Sequence, residues 1–169
     1  GTGATSFFYS GQFKQLIKKW DLELPVSYKG PSYVFNFYGN GNTTKLLTND
    51  KGYNRVTVEQ FIINPKIVRT FGRQQFKVGL ITESIRVQNK AGKFISDANA
   101  GIDKIVFEHN TFLGANMEYS IGKKDNIKYP TKGYSFQTDL TYKRNITRLA
   151  KDFLNIHSAV NFYLPLGNM

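Results

Sequence analysis

Between Thr111 and Gly122 the chain reads TFLGANMEYSIG, and its two alternating halves differ in kind. The odd positions are Thr111, Leu113, Ala115, Met117, Tyr119 and Ile121. The even positions are Phe112, Gly114, Asn116, Glu118, Ser120 and Gly122. Alternate side chains of a strand point to opposite faces, so this stretch predicts a strand with one oily side and one small, polar side. Roughly ten residues tilted at about 45° cross the hydrocarbon core of a bilayer. Repeated alternating segments of that length mark a transmembrane β-barrel, with lipid on one side and a wet lumen on the other.

The pattern repeats. From Tyr134 to Arg144, Tyr134, Phe136, Thr138, Leu140 and Tyr142 alternate with Ser135, Gln137, Asp139, Thr141 and Lys143. From Leu154 to Leu164, the set containing Ile156, Val160 and Phe162 alternates with one containing Asn155, His157 and Asn161. From Trp20 to Lys29, Leu22, Leu24 and Val26 alternate with Asp21, Glu23 and Ser27. A one-residue slip there would put carboxylates on the oily side, so the register is strongly specified. Thr5 to Ile17 and Tyr53 to Val87 alternate less cleanly. The latter reads as two arms about a turn at Phe71-Gly72-Arg73-Gln74, with Pro65 awkward inside the first arm, since proline donates no ladder hydrogen bond. Pro65 is expected to mark a bulge or a break.

The expectation is all-β: an antiparallel meander of about seven strands, near 4–16, 20–29, 53–70, 75–88, 110–122, 133–145 and 150–165. Most connections alternate between short and long, as in outer-membrane barrels. The 169 residues suffice for one domain, and an apolar content of 40% argues against disorder. No run of about 18 apolar residues provides a spanning helix. The 14 Phe and 10 Tyr suit interfacial aromatic girdles and equally a soluble β-sandwich core. With no cysteine, disulfides and thiolate chemistry are excluded. The net charge of +11 raises nucleic acid or anionic lipid as partners. The basic residues form no single block, however, and the densest group, Lys123, Lys124, Lys128 and Lys132, surrounds a turn. Scattered loop and lumen lysines are the expectation, with no nucleic-acid partner. The start at Gly1-Thr2-Gly3, with no initiator Met, and the ending in a strand that runs into a turn read as an internal fragment.

Asp125-Asn126-Ile127-Lys128-Tyr129-Pro130-Thr131-Lys132-Gly133 resembles the turn "D-N-x-x-(F/Y)-P-T-x-G" in the barrels of BamA-type outer-membrane assembly proteins, the bacterial surface antigen family. Asn36-Phe37-Tyr38-Gly39-Asn40-Gly41-Asn42-Thr43-Thr44 is similar to the "N-F-(F/Y)-G-x-G-N-x-T" loop of Bacteroidetes-type members. Asn64-Pro65, Phe71-Gly72 and Tyr163-Leu164-Pro165-Leu166-Gly167 fit the same ordered set, so the likeness runs over most of the chain. It implies that residues 1–169 are part of a sixteen-stranded transmembrane β-barrel, about its fourth to tenth strands. The implied location is the bacterial outer membrane. The implied partners are outer-membrane lipid, client outer-membrane proteins and the missing remainder of the barrel. The implied function is a wall segment of a factor that inserts or exports other outer-membrane proteins, with no cofactor and no enzymatic activity of its own. The family's inward loop with its Arg-Gly-Tyr/Phe motif would lie beyond Met169. No signature functional residue of the family therefore falls in this chain.

The expected site residues are structural. Asp125, Asn126, Tyr129, Pro130 and Gly133 shape a turn. Leu22, Leu113, Leu140 and Val160 are expected to face lipid, and Glu118, Asp139 and His157 to face the lumen. Glu118 and Asp139 are expected near each other on adjacent strands, balanced by Lys123 and Lys143. Glycosidases use such carboxylate pairs, but charges are ordinary in a barrel lumen, so no catalytic residue is assigned. His109 and His157 lack partners at metal-ligand spacing. Gly39-Asn40-Gly41 lacks the Lys-Ser/Thr of a phosphate loop. Asn42-Thr43-Thr44 and Asn145-Ile146-Thr147 match a glycosylation sequon to which no meaning is assigned. Two other readings remain open: a channel or a barrel anchoring a fused phosphoesterase-like domain, and a soluble ligand-binding β-sandwich.

Overall fold

The computed structural model describes residues 4–39, 52–97, 101–126 and 128–165. Eight antiparallel strands form one sheet: β1 (Ser6–Ile17), β2 (Trp20–Asn36), β3 (Arg55–Ile63), β4 (Lys66–Phe71), β5 (Gln74–Val87), β6 (Asn110–Lys124), β7 (Gly133–Asn145) and β8 (Phe153–Tyr163). The order across the sheet is β1-β2-β3-β5-β6-β7-β8, and β4 fills the gap between β2 and β5 below β3. The all-β antiparallel meander read from the alternation is thus present. The connection Asp125–Lys132 joins β6 and β7 with their polar halves on one side.

β3 and β4 are one sheet-crossing strand interrupted at Asn64-Pro65. Ile63 pairs Val26 on one side and Thr82 on the other; Lys66 pairs Glu23 and Gly79. Two residues are skipped on every strand, so the register does not slip and the irregularity is a break, not a bulge. The missing donor is made good locally. Asn64 donates its backbone N–H to the Pro25 carbonyl at 3.1 Å and its side-chain amide to the Leu80 carbonyl at 2.7 Å, while Leu80 N donates to the Pro65 carbonyl at 3.1 Å.

The expected strand 20–29 runs on to Asn36. Gly30-Pro31 does not end it because a bulge between Lys29 and Tyr33 absorbs the irregular residues. Past β7, residues 146–150 form a turn. Just before that turn, Asn145 is buried. It accepts from Thr147 Oγ1 (2.8 Å) and Leu149 N (3.1 Å) and donates to Asn110 Oδ1 (3.0 Å), so the amide of the sequon there is buried and engaged. Residues 40–44, with Asn42, and the closing 166–167 lie outside the described residues.

Because the meander reverses at each connection, the turns 18–19, 72–73 and 125–132 share one end of the sheet. The connections 37–54, 88–109 and 146–152 share the other. At that loop end the sheet carries a small apolar core. Val56 and Val58 pack with Ile95, and Phe37, Ile85, Val87, Ile102, Val106 and Phe107 close around them. Val58 pairs Val87, which lies on the same face of β5 as Lys77 and Glu83. Residues 94–97 and 102–107 of the next connection therefore fold over the polar side of the sheet. Phe94 N donates to the Tyr53 carbonyl (2.8 Å) and Tyr53 Oη to Asp97 Oδ2 (2.8 Å), which ties the two long connections together. That bond to a carboxylate raises the Tyr53 phenol above its ordinary range.

Candidate functional site

Residues paired across adjacent strands share a face, so the register can be read as rows across the sheet. One row is Phe13–Leu22–Ile67–Val78–Met117–Leu140–Ile156, apolar at every strand. The neighbouring row on the opposite face is Gln12–Glu23–Lys66–Gly79–Asn116–Thr141–Asn155, with no large apolar side chain. The next row on that polar face is Asp21–Val68–Lys77–Glu118–Asp139–His157. Leu22, Leu113, Leu140 and Val160 all stand on the apolar face; Glu118, Asp139 and His157 all stand on the polar one.

Burial runs opposite to the pattern of a water-soluble core. On β6 the apolar Leu113 and Met117 are 49% and 44% exposed, whereas Asn116 between them is 6% exposed. Glu83 on β5 is 8% exposed. Among the described residues no second sheet or helix covers the apolar face. A single sheet encloses one of its faces by curving toward it, and here the enclosed face is the polar one.

Three ion pairs hold that face. Lys66 reaches Glu118 at 2.5 Å, Lys77 reaches Glu23 at 2.8 Å, and Lys143 bonds Glu83. Each skips one strand, bridging β4 to β6, β5 to β2 and β7 to β5. Strands lie about 4.8 Å apart, so these side chains lean together over the intervening strand. Gly79 leaves the room: a Cβ there would lie 2.7 Å from Lys66 Cγ and 2.7 Å from Asn116 Oδ1. Asn64 donates to Asn116 Oδ1 (3.0 Å), Asn116 donates to Glu118 (3.3 Å) and Gln60 donates to Glu83 (2.5 Å), so the charges sit within a hydrogen-bonded network. A double-mutant cycle on Lys66→Ala and Glu118→Ala should give a coupling of about 1 kcal/mol. Additive single effects in denaturant titrations would show that the pair contributes nothing.

Glu118 and Asp139 are direct cross-strand partners. Glu118 is engaged by Lys66, and Asp139 faces His157 Nδ1 at 3.7 Å, so the two carboxylates turn to different partners. Lys143 does reach the polar face but pairs Glu83; Lys123 pairs Tyr134 on the apolar side and lies outside the network. No cluster of three metal-ligating side chains occurs among the described residues. Sequence reasoning missed one contact: Ser84 Oγ and His109 Nε2 are hydrogen-bonded near a recess of about 100 Å³ with Tyr28, Glu59 and Arg86. Acyl transfer by such a pair needs a third group to orient the imidazole and donors for the oxyanion. Among the described residues no side chain bonds the other ring nitrogen, and Glu59 is taken by Tyr28 Oη at 3.2 Å.

The turn 125–133 explains its own sequence. Asp125 accepts from Thr131 Oγ1 (2.5 Å), Thr131 N (3.0 Å) and Lys132 N (3.0 Å). Asn126 Oδ1 accepts from Lys128 N (2.8 Å) and Tyr129 N (3.1 Å). Gly133 has φ +139, and a Cβ there would sit 2.0 Å from the Lys123 carbonyl oxygen. Pro130 needs no N–H, and Tyr129 projects into the surroundings. Donation by the Thr131 hydroxyl, then by the Lys132 amide, holds the Asp125 carboxyl far below the usual carboxylate range. A depressed folded pKa contributes stability that is full above the unfolded value near 4 and is lost as pH falls through the folded value. Melting of Asp125→Ala should trail the parent by the same margin at pH 7 and pH 5, and the margin should shrink only below about pH 4. A margin gone by pH 5 would contradict this.

Compared with known proteins, the chain matches no family model, no curated protein and no solved structure. What the fold and its faces define is a class: an all-β chain whose one antiparallel sheet encloses polar side chains and presents apolar ones outward.

Proposed function

We propose that this sheet is part of the wall of a transmembrane β-barrel in the bacterial outer membrane, with the apolar face toward lipid and the polar face toward the lumen. The observation that carries the reading is the inversion of burial, open Leu113 and Met117 against enclosed Asn116 and Glu83. A soluble sandwich would bury the apolar row under a second sheet. Dimensions support the same reading. Arg144 pairs Leu113 at one margin of the apolar face, and Lys123 pairs Tyr134 at the other. The ten steps from residue 113 to residue 123 extend about 34 Å, or about 24 Å along the membrane normal at a tilt of about 45°, against an apolar band of about 25 Å in such barrels. Trp20, Phe71, Tyr134 and Phe162 line the turn end of the band, and Tyr142 lies toward the loop end. In a closed barrel the edges at β1 and β8 pair with further strands, since unpaired backbone groups have no water partner in lipid.

Within this class, the resemblance of the Asp125–Gly133 turn favours a BamA-type assembly factor. Such a barrel admits client strands at an opened seam by β-augmentation, and this segment is wall beside the seam. The polar-face ion pairs keep that wall rigid while the seam opens. Depletion of the full-length protein in its native cell, followed by quantification of outer-membrane proteins, tests the reading. Many unrelated barrel proteins should fall together. Loss of a single transport or phosphoesterase activity, with other barrels at normal levels, would favour the channel or the enzyme-anchoring barrel.

A further inference from the structure

The basic residues that look scattered in the sequence are gathered by the fold. Lys18 and Lys19 occupy the first turn, Arg73 the second, and Lys123, Lys128 and Lys132 lie in and beside the third, and all three turns share one end of the sheet. All six are exposed, and none forms an ion pair among the described residues. The only acids described at that end are spent: Asp21 on Lys14 (3.1 Å) and the Gln15 amide (2.8 Å), Asp125 on its own turn. Arg69 adds a cation on the apolar face itself. Its guanidinium lies 5.2 Å from the Trp20 ring centre and 5.0 Å from that of Phe71, in a row with Phe76 and Tyr119. A guanidinium flanked by aromatic rings is held at the boundary between oil and water, where cation–π contact and partial desolvation both favour it. The loop end differs, because Asp97, Asp103, Glu108 and Asp152 are interspersed there with its cations.

We propose that the turn end is a docking surface for anionic phospholipid. Arg69, set between Trp20 and Phe71, takes a lipid phosphate at the top of the acyl chains, and the turn cations hold further headgroups. The inference rests on the barrel reading and names the lipid that meets one rim of it. The occupant is a lipid and not a free phosphate because the cations border the apolar face, so the ligand that satisfies both carries a phosphate and acyl chains together.

The test is lipid selectivity of the full-length protein by native mass spectrometry after exchange into equal phosphatidylglycerol and phosphatidylcholine. Retained phosphatidylglycerol should exceed phosphatidylcholine by at least about fivefold, the factor one basic residue near an anionic surface already confers, and the preference should fall with added salt. The variant Arg69→Gln, Lys18→Gln, Lys19→Gln and Arg73→Gln should lose most of the preference. A control with Lys90→Gln, Lys104→Gln, Arg148→Gln and Lys151→Gln at the loop end should keep it. Equal retention of the two lipids by the parent protein, or equal loss in the two variants, overturns the proposal. Displacement of the lipid by millimolar inorganic phosphate would identify a free-phosphate site and overturn it too. Failure to insert into phosphatidylcholine vesicles at all would sink the barrel reading instead, which keeps the two failures distinct.

Discussion

Leu140→Arg should cost the lipid-folded protein about 2–4 kcal/mol, and Gln137→Arg well under about 1 kcal/mol. Leu140 stands in the fully apolar row between Met117 and Ile156, near the middle of the band bounded by Arg144 and Lys123. An arginine there must leave its charge in hydrocarbon or drag water to it. Gln137 lies on the same strand but on the other face, in line with Ser120 and Ala159, where a cation meets the wet side. Val160→Arg, lower on the same face and paired with Phe136, should fall between the two because the cost declines toward the interface. Unfolding titrations of the protein in lipid vesicles measure all three. Equal costs on the two faces would mean that neither face meets lipid.

Gly133→Ala should cost about 3 kcal/mol, near the upper end for a single substitution. Two penalties combine. The residue sits at φ +139, where an L side chain is strained, and its Cβ would lie 2.0 Å from the Lys123 carbonyl oxygen. That oxygen belongs to a part of β6 held in register with β7 at Lys123–Tyr134 and Lys124–Gly133, so it cannot yield cheaply. Gly72→Ala isolates the first penalty: φ is +56 and nothing lies within 4 Å of the added Cβ. It should cost only about 1 kcal/mol. If the two substitutions prove equal, the close approach at Gly133 has no energetic consequence.

The strands with two sharply different environments were legible. In 111–122 and 133–144 every other side chain changes polarity, and the structure pairs those segments from Phe112–Asn145 to Lys124–Gly133. The continuation of β2 past Gly30 was not, because Gly-Pro reads as a terminator unless a bulge absorbs it. At Asn64-Pro65 the sequence announces an irregularity but not its kind; that depends on Asn64 finding the Leu80 carbonyl sixteen residues away. The strand-skipping pairs Lys66–Glu118, Lys77–Glu23 and Lys143–Glu83 were illegible for the same reason. Alternation fixes the face of each residue, while the level at which it meets a strand two places away emerges only from the full register. The apolar core beneath 88–109 was hidden by ordinary loop composition, since Ile95, Val106 and Phe107 carry no strand period.

The central claim, that the apolar face meets hydrocarbon and the polar face meets water, can be tested by a cysteine scan along β6, for which this stretch has no native cysteine to remove. Single cysteines at 113, 115, 116, 117 and 118 in the full-length protein, carrying a small fluorophore and folded into vesicles, would be read with lipids brominated on their acyl chains and with an aqueous quencher; Gly114 is left out because a Cβ there would lie 2.0 Å from the Tyr142 carbonyl oxygen. The account predicts alternation: quenching by brominated lipid at 113, 115 and 117, and none at 116 and 118. Protection of 113, 115 and 117 from both quenchers would place the apolar face against protein, and the membrane-wall account would be wrong.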